Sequence, residues 1–462
     1  MAVSQSKPLR IDRQIAIALA ISAMAVAPVL ADTTDDAASL TGHLLTVADL
    51  GELRDIKADW TDSTLALSST AATLFARAVI PAPKPGWNLA RQAAIRAEIV
   101  NTGDNPVGVM MWAVGGHGWE AVLDSATLEP RETRTFSCDL RATFPDRTPK
   151  LNPSDVQGVQ IMLAEPVTRP AKPDDKGPPS TYLSPRITKP ISITMRSLVA
   201  CGQAPDWQRP PGRIDVPAIE DGPPSPGKRV RYRLAGDETS GIYCVLNLPE
   251  DWQPGKNYPV IVEYPGNIFF GPQCFSSGLP DQCVIGYGMT KGRGAICLGL
   301  PFVNRATGTI AEDGWGNADD TAEHAMRMVS EVCDTFGGDR DNVVLTGFSR
   351  GAIACGYIGL RNDRIATLWK GFHACQHYDG ANWNGSTMPD AIARASRFKG
   401  KAIFHTDNSK EKFQPLMDVM NTTVTWANSG LGFHSTAMFL DDRASTQQLR
   451  QWFWQLAGNR GD

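Results

Sequence analysis

No internal repeat and no low-complexity tract runs through this chain, which sets aside solenoid and disordered architectures. Its nine cysteines and seven histidines nowhere take zinc-finger spacing or gather into a ligand cluster, so no metal and no cofactor is expected. Charge of one sign is not in excess: 45 basic against 49 acidic residues leave a formal net charge of −4. That mild acidity argues against nucleic acid as a partner. Long apolar runs are missing too. The best candidate, residues 15–27, is too short for a comfortable transmembrane span. Lys7, Arg10 and Arg13 precede it and Pro28-Val29-Leu30-Ala31 follows, so residues 1–31 read as an export signal cleaved before Asp32. No cysteine stands at the cleavage point, which argues against a bacterial-type lipid anchor. The mature protein is expected to be secreted or periplasmic, without a stable membrane span.

The length exceeds one ordinary domain, so two are expected. The boundary falls at residues 203–228, where Pro205, Pro210, Pro211, Pro217, Pro223, Pro224 and Pro226 predict a stiff, extended linker. Upstream, residues 32–202 carry short β-type runs at 93–100, 107–114, 159–163 and 191–195, separated by turn signals. This pattern predicts an all-β sandwich, with residues 168–190 as a Pro-rich loop. Its Trp87, Trp112 and Trp119 are candidates for stacking on sugar rings or for the sandwich core. Downstream, residues 229–462 alternate apolar strands (258–264, 294–300, 343–348, 367–373, 401–405, 422–427) with helical spacing at 319–336 and 445–456. Alternation of this kind predicts an α/β fold, a mainly parallel sheet flanked by helices, with its site at the C-terminal strand ends. In an exported protein the cysteines suggest disulfides, and Cys274 with Cys283 is the best pair. Cys297 and Cys355 lie in apolar patterns and read as buried thiols. The odd total leaves at least one cysteine free, unless it pairs between chains.

The chemistry centres on Gly347-Phe348-Ser349-Arg350-Gly351. A β-branched run enters this Gly-x-Ser-x-Gly and a small-residue helix leaves it, the strand-turn-helix context of a nucleophile elbow. The turn is tight enough that side chains at Gly347 and Gly351 would clash. A base and an acid must follow in the order Ser, acid, His. His434 lies between the last predicted strand and the C-terminal helix and is the candidate base. Asp407, just past the strand 401–405, is the candidate acid, with Glu411, Asp418 and Asp379 as rivals. The oxyanion would be held by the N–H of Arg350 and by that of Gly266 or Asn267, which follow the strand 258–264. Trp315, His377 and Asp379 are candidates to line the pocket.

These motifs resemble the α/β-hydrolase superfamily over roughly residues 229–460. The stretch from Phe336 to Ser349 is similar to secreted feruloyl and acetyl-xylan esterases and polyhydroxybutyrate-depolymerase-like proteins. Glu263-Tyr264-Pro265-Gly266-Asn267, Gly347 to Gly351 and His377-Tyr378-Asp379-Gly380 resemble a further, less characterised group of hydrolase-like proteins. The resemblance implies the α/β-hydrolase fold and ester hydrolysis. Arg350 after the serine and Tyr-Pro-Gly-Asn at the oxyanion segment depart from the better-known esterases. The upstream sandwich weakly resembles jelly-roll modules appended to polysaccharide-active enzymes.

Taken together, an exported serine esterase is expected, working through Ser349, His434 and Asp407 on an ester of an extracellular polymer such as acylated polysaccharide. A serine peptidase of the same fold and a glycan-binding protein on a hydrolase scaffold are the alternatives. Peptide-amide cleavage would identify the first. Polysaccharide capture by residues 32–202 without hydrolysis would identify the second.

Overall fold

In the upstream half, period-two burial decides the layers. The strand Thr64–Ser69 alternates buried and exposed residues, and Leu65 and Leu67 point into a core shared with Ile99, Phe136 and Ile161. That core lies between two six-stranded antiparallel sheets. One runs Thr133–Asp139, Gln92–Asn101, Ile191–Gln203, Thr64–Ser69 and Lys57–Thr61, with His43–Leu44 paired to Ile191–Gln203. The other runs Leu53–Arg54, Arg77–Pro81, Val156–Arg169, Val107–Gly115 and Ala121–Leu128. The computed structural model describes residues 43–44, 50–61, 64–116, 119–169, 180–271 and 274–458; the expected export signal lies outside them. The Pro-rich excursion is in part a hairpin, because Ser180–Ser184 returns antiparallel to Val156–Arg169 and makes the sixth strand of the second sheet.

The downstream half is built on one nine-stranded mixed sheet. Its strands are β1 (Ile219–Glu220), β2 (Arg229–Tyr232), β3 (Cys244–Asn247), β4 (Tyr258–Tyr264), β5 (Ile296–Gly299), β6 (Gly338–Phe348), β7 (Gly371–Cys375), β8 (Ala402–Thr406) and β9 (Val424–Ala427). They lie in the order β1-β2-β3-β5-β4-β6-β7-β8-β9. Every pairing from β5 to β9 is parallel. β4 and β6 are mainly apolar in their buried parts, Glu263 and Thr346 apart, because helices cover both faces. Val260, Val262, Val343 and Leu345 meet the helices Ala318–Phe336, Arg350–Tyr357 and Lys410–Met420. Ile261 and Val344 meet Ile285–Thr290 and Ala444–Leu456. The helix Ala318–Phe336 is capped by the Asn317 side chain and ends at Gly337, whose φ of 75° only glycine adopts at little cost. Among the described residues no helix is long and apolar enough to cross a membrane.

Residues 203–228 are not a free spacer. Trp207 donates its N–H to Ala90, Ile214 donates to Leu440, and β1 joins the large sheet beside β2. Proline supplies stiffness, but Ile214 and buried Val216 supply apolar contacts that hold the segment down. Both halves belong to one compact unit, Leu40–Asp462. The contact between them is apolar at its centre. Strand Val107–Gly115 sends Val109 and Met111 into the sandwich core and turns Met110 and Trp112 outward onto Ile268, Phe270 and Phe275.

All nine cysteines are free thiols, so the expected Cys274–Cys283 disulfide is not formed. Cys274 lies on the hairpin strand Cys274–Ser276, whereas Cys283 ends the following 3-10 turn and directs its Sγ to the Glu263 carbonyl. Short separation in sequence did not bring the two side chains face to face. Cys355 is fully buried, as expected, and Cys297 is half-buried.

Candidate active site

Three adjacent parallel strands end in the same way. The residues after β6, β7 and β8 are Ser349, Gln376 and Asp407, and all three take positive φ (54°, 64° and 55°). Each donates its N–H to the last residue of the next strand: Ser349 to Cys375, Gln376 to Thr406, Asp407 to Ala427. The chain is thus turned sharply out of the sheet at three neighbouring positions, a strain retained where side chains must project over the strand ends. At Ser349 the turn runs straight into the helix Arg350–Tyr357. A Cβ at Gly351 would collide with the carbonyl of Tyr264, and one at Gly347 with Gly351 itself. This is the steric reason for both glycines.

Ser349 Oγ lies 3.0 Å from His434 Nε2. The ring is held among Phe269, Phe348, Phe433 and His377, with centroid separations of 5.1, 5.3, 5.9 and 5.6 Å. Burial lowers the His434 pKa from its ordinary value to about 4. The imidazole is therefore neutral, the form a general base requires. The sign is direct: kcat/KM for an ester should stay level through neutral pH and fall only as pH drops through about 4. A pH profile checks this.

Asp407 does not reach the His434 ring: no hydrogen bond or ion pair joins them. Its carboxylate instead accepts from the N–H of Ser429 at 2.7 Å, from Ser429 Oγ at 2.5 Å and from Gln376 Nε2 at 3.3 Å. Gln376, which sequence reasoning passed over, is the hub of this network. Its amide donates to the carbonyls of Gly432 and Ser435 and accepts from the Ser435 N–H. Asp407 and Gln376 together hold residues 429–435, the loop that carries His434. The signal was present as the residue before His377-Tyr378-Asp379-Gly380, but an amide carries no motif of its own.

Among the described residues, the N–H groups of Gly266, Asn267 and Arg350, the expected oxyanion donors, donate to no acceptor. The Asn267 side chain is turned away, donating to Asp313 at 2.7 Å and accepting from Gly314 at 3.0 Å. Arg350 follows Ser349 directly and is 1% exposed. Its guanidinium is buried, donates to the carbonyls of Gly266, Gly278, Ala311 and Gly314 at 2.8–3.0 Å, and stacks over Phe302. Desolvation pulls its pKa down to about 9, and no carboxylate touches it. It fastens the loop that presents Gly266.

Two expected pocket residues lie elsewhere. Trp315 is 6% exposed, stacks on Tyr357 at 4.5 Å and donates its indole N–H to Asn384. Asp379 is 1% exposed and bound on both oxygens by Arg394 at 2.8 Å, with Ser386 Oγ as a further donor. Both serve the packing of the loop 379–387. Asp379→Asn should cost about 3–5 kcal/mol of stability, since it leaves Arg394 buried without its charge partner. Turnover by the folded fraction should be unchanged; denaturant titration beside an activity assay checks both. Lost turnover at full stability would return Asp379 to the list of acids. His377 does stand beside His434, half-buried. Glu411 and Asp418 are exposed on the helix Lys410–Met420, bonded to Ser409 and Gln414.

A cavity opens beside the serine and histidine, lined by Gly266, Phe275, Phe348, His434 and Met438, and by Trp119 from the upstream half. Trp87 and Trp112 are only 8% and 1% exposed and offer no face to a sugar.

No family model matches this chain, and no curated protein matches it. Among solved structures it is distantly similar to the esterase Est22 (16% identity over 50% of this chain and 82% of that one, TM-score 0.36). It is also similar to the AtxE2 isopeptidase without ligand (12%, 88% and 76%, 0.35) and to a sugar hydrolase, YeeB, from Lactococcus lactis (11%, 49% and 98%, 0.32).

Proposed function

We propose that this chain is an exported serine hydrolase that cleaves carboxylic esters, with acylated polysaccharide as its substrate class. The observation that supports this most is the 3.0 Å contact of Ser349 Oγ with a neutral His434 Nε2, beside three unengaged N–H groups. His434 takes the serine proton as Oγ attacks the ester carbonyl carbon. The N–H of Arg350 and that of Gly266 or Asn267 hold the oxyanion. Collapse breaks the bond to the alcohol oxygen, which leaves with the proton from His434. Water then attacks the acyl-enzyme and passes a proton to His434. The acid departs and Ser349 Oγ recovers its proton. Asp407 acts in this reading through the His434 loop. In this reading the described residues up to 202 are a β-sandwich, 203–228 a connecting segment and the described residues from 229 on the catalytic domain.

The experiment is labelling of the purified protein with a fluorophosphonate, which reacts with an activated serine. Labelling is expected in the wild type and absent in Ser349→Ala and His434→Ala. Hydrolysis of short acyl esters but not of peptide amides would separate an esterase from a peptidase. A folded wild type that takes no label would overturn the assignment.

A further inference from the structure

The cavity at the serine is walled by both halves of the chain. Trp119, between the paired strands Val107–Gly115 and Ala121–Leu128, lines it together with Phe348 and His434 of the downstream half. Its position is built, not incidental. The next residue, Glu120, is 3% exposed and ion-paired with Arg213, and its carbonyl accepts the N–H of Gly115 at 2.7 Å. Ile214, next to Arg213, is bonded to Leu440 at the end of the segment that follows His434. The same sheet also backs a second wall: Trp112 packs edge-on against Phe275 at 5.1 Å. We propose that Trp119 sets acyl selectivity, its indole closing the cavity against long acyl chains. This makes the upstream half part of the catalytic site and not an appended binding module.

The assignment to the acyl side follows from what must leave. The alcohol departs to solvent after taking its proton from His434, beside which Phe433 is 70% exposed on the open rim. The acyl group stays on Ser349 until water releases it, and the cavity, whose lining includes Glu263, Ser276, Gln282 and Thr436, also offers an apolar space to the part that stays. Phe275 and Met438, at 9% and 8% exposed, provide that space. An indole in that lining would limit chain length by exclusion, and apolar pockets discriminate by one methylene at roughly ten-fold or more.

The inference rests on the serine-hydrolase reading, and the test separates the two. Wild type, Trp119→Ala and Trp119→Phe are assayed on a series of p-nitrophenyl esters from acetyl to octanoyl, with fluorophosphonate labelling and thermal melting alongside. In Trp119→Ala, kcat/KM for octanoyl relative to acetyl should rise about ten-fold or more. The gain should come through KM for the long esters, read as a ratio to the acetyl ester of the same variant. Trp119→Phe should move part of the way. If Ala does not fold, Phe carries the test. An unchanged acyl profile in a labelled, folded variant overturns the selectivity role alone. A wild type that neither labels nor turns over any ester overturns the serine reading, and this one with it.

Discussion

Ser349→Ala should lower kcat/KM for ester substrates by about 10⁴-fold or more, with the melting temperature unchanged. The size follows from the role. Without Oγ no acyl-enzyme forms, and only the oxyanion donors and the cavity remain to favour hydrolysis by water. The fold should tolerate the change because, among the described residues, Oγ's sole side-chain partner is His434. Positive φ at 349 is already accepted by a residue with a Cβ, so alanine adds no steric demand there. His434→Ala should fall by a similar factor, and the double variant by little more than either, since the two act as one unit. Additive losses would mean that the 3.0 Å contact is not used in the reaction.

The second large effect is expected at Arg350. Arg350→Met keeps much of the side-chain volume over Phe302 and the backbone N–H, but removes every hydrogen bond from the guanidinium. Four carbonyls, from Gly266, Gly278, Ala311 and Gly314, lose their donor in a buried site. Each unmade buried bond costs about 1–3 kcal/mol, so the variant should be several kcal/mol less stable. The loop bearing Gly266 should also loosen, and a misplaced oxyanion donor costs about 10²–10³ in kcat. Lost stability with unaltered kcat in the folded fraction would restrict Arg350 to a structural role. A long cationic side chain is accommodated directly after Ser349 because its guanidinium is turned inward onto those carbonyls.

Sequence periodicity located the elements well. The strand expected at 258–264 is β4 residue for residue, and the helices at 319–336 and 445–456 each begin one residue earlier. These segments were legible because burial on both faces demands unbroken apolar runs, and because helices carry caps. The strand expected at 367–373 was placed too early. Thr367 is β-branched and Leu368 apolar, but they close the short helical turn Asp363–Ala366, and β7 begins at Gly371. The near-continuous run from Val107 to Val114 held more than was read from it. Both its faces are buried, one in the sandwich core and the other on Phe275.

What the sequence alone determined was local: the glycines that permit the turn at Ser349 and the loop on which His434 sits. These depend on sterics and periodicity within a few residues. Partnership across the molecule was decided only by the tertiary structure. Asp407 was taken up by Ser429 and Gln376, Asp379 by Arg394, and Arg350 by four carbonyls, while Cys274 and Cys283 stayed apart. Trp119 was carried some 230 residues along the chain to the serine. The reason is physical: a buried polar or aromatic group takes whichever partner the packed layers bring within about 3–6 Å, and that choice is made by sheet register and domain contact, which no local pattern encodes.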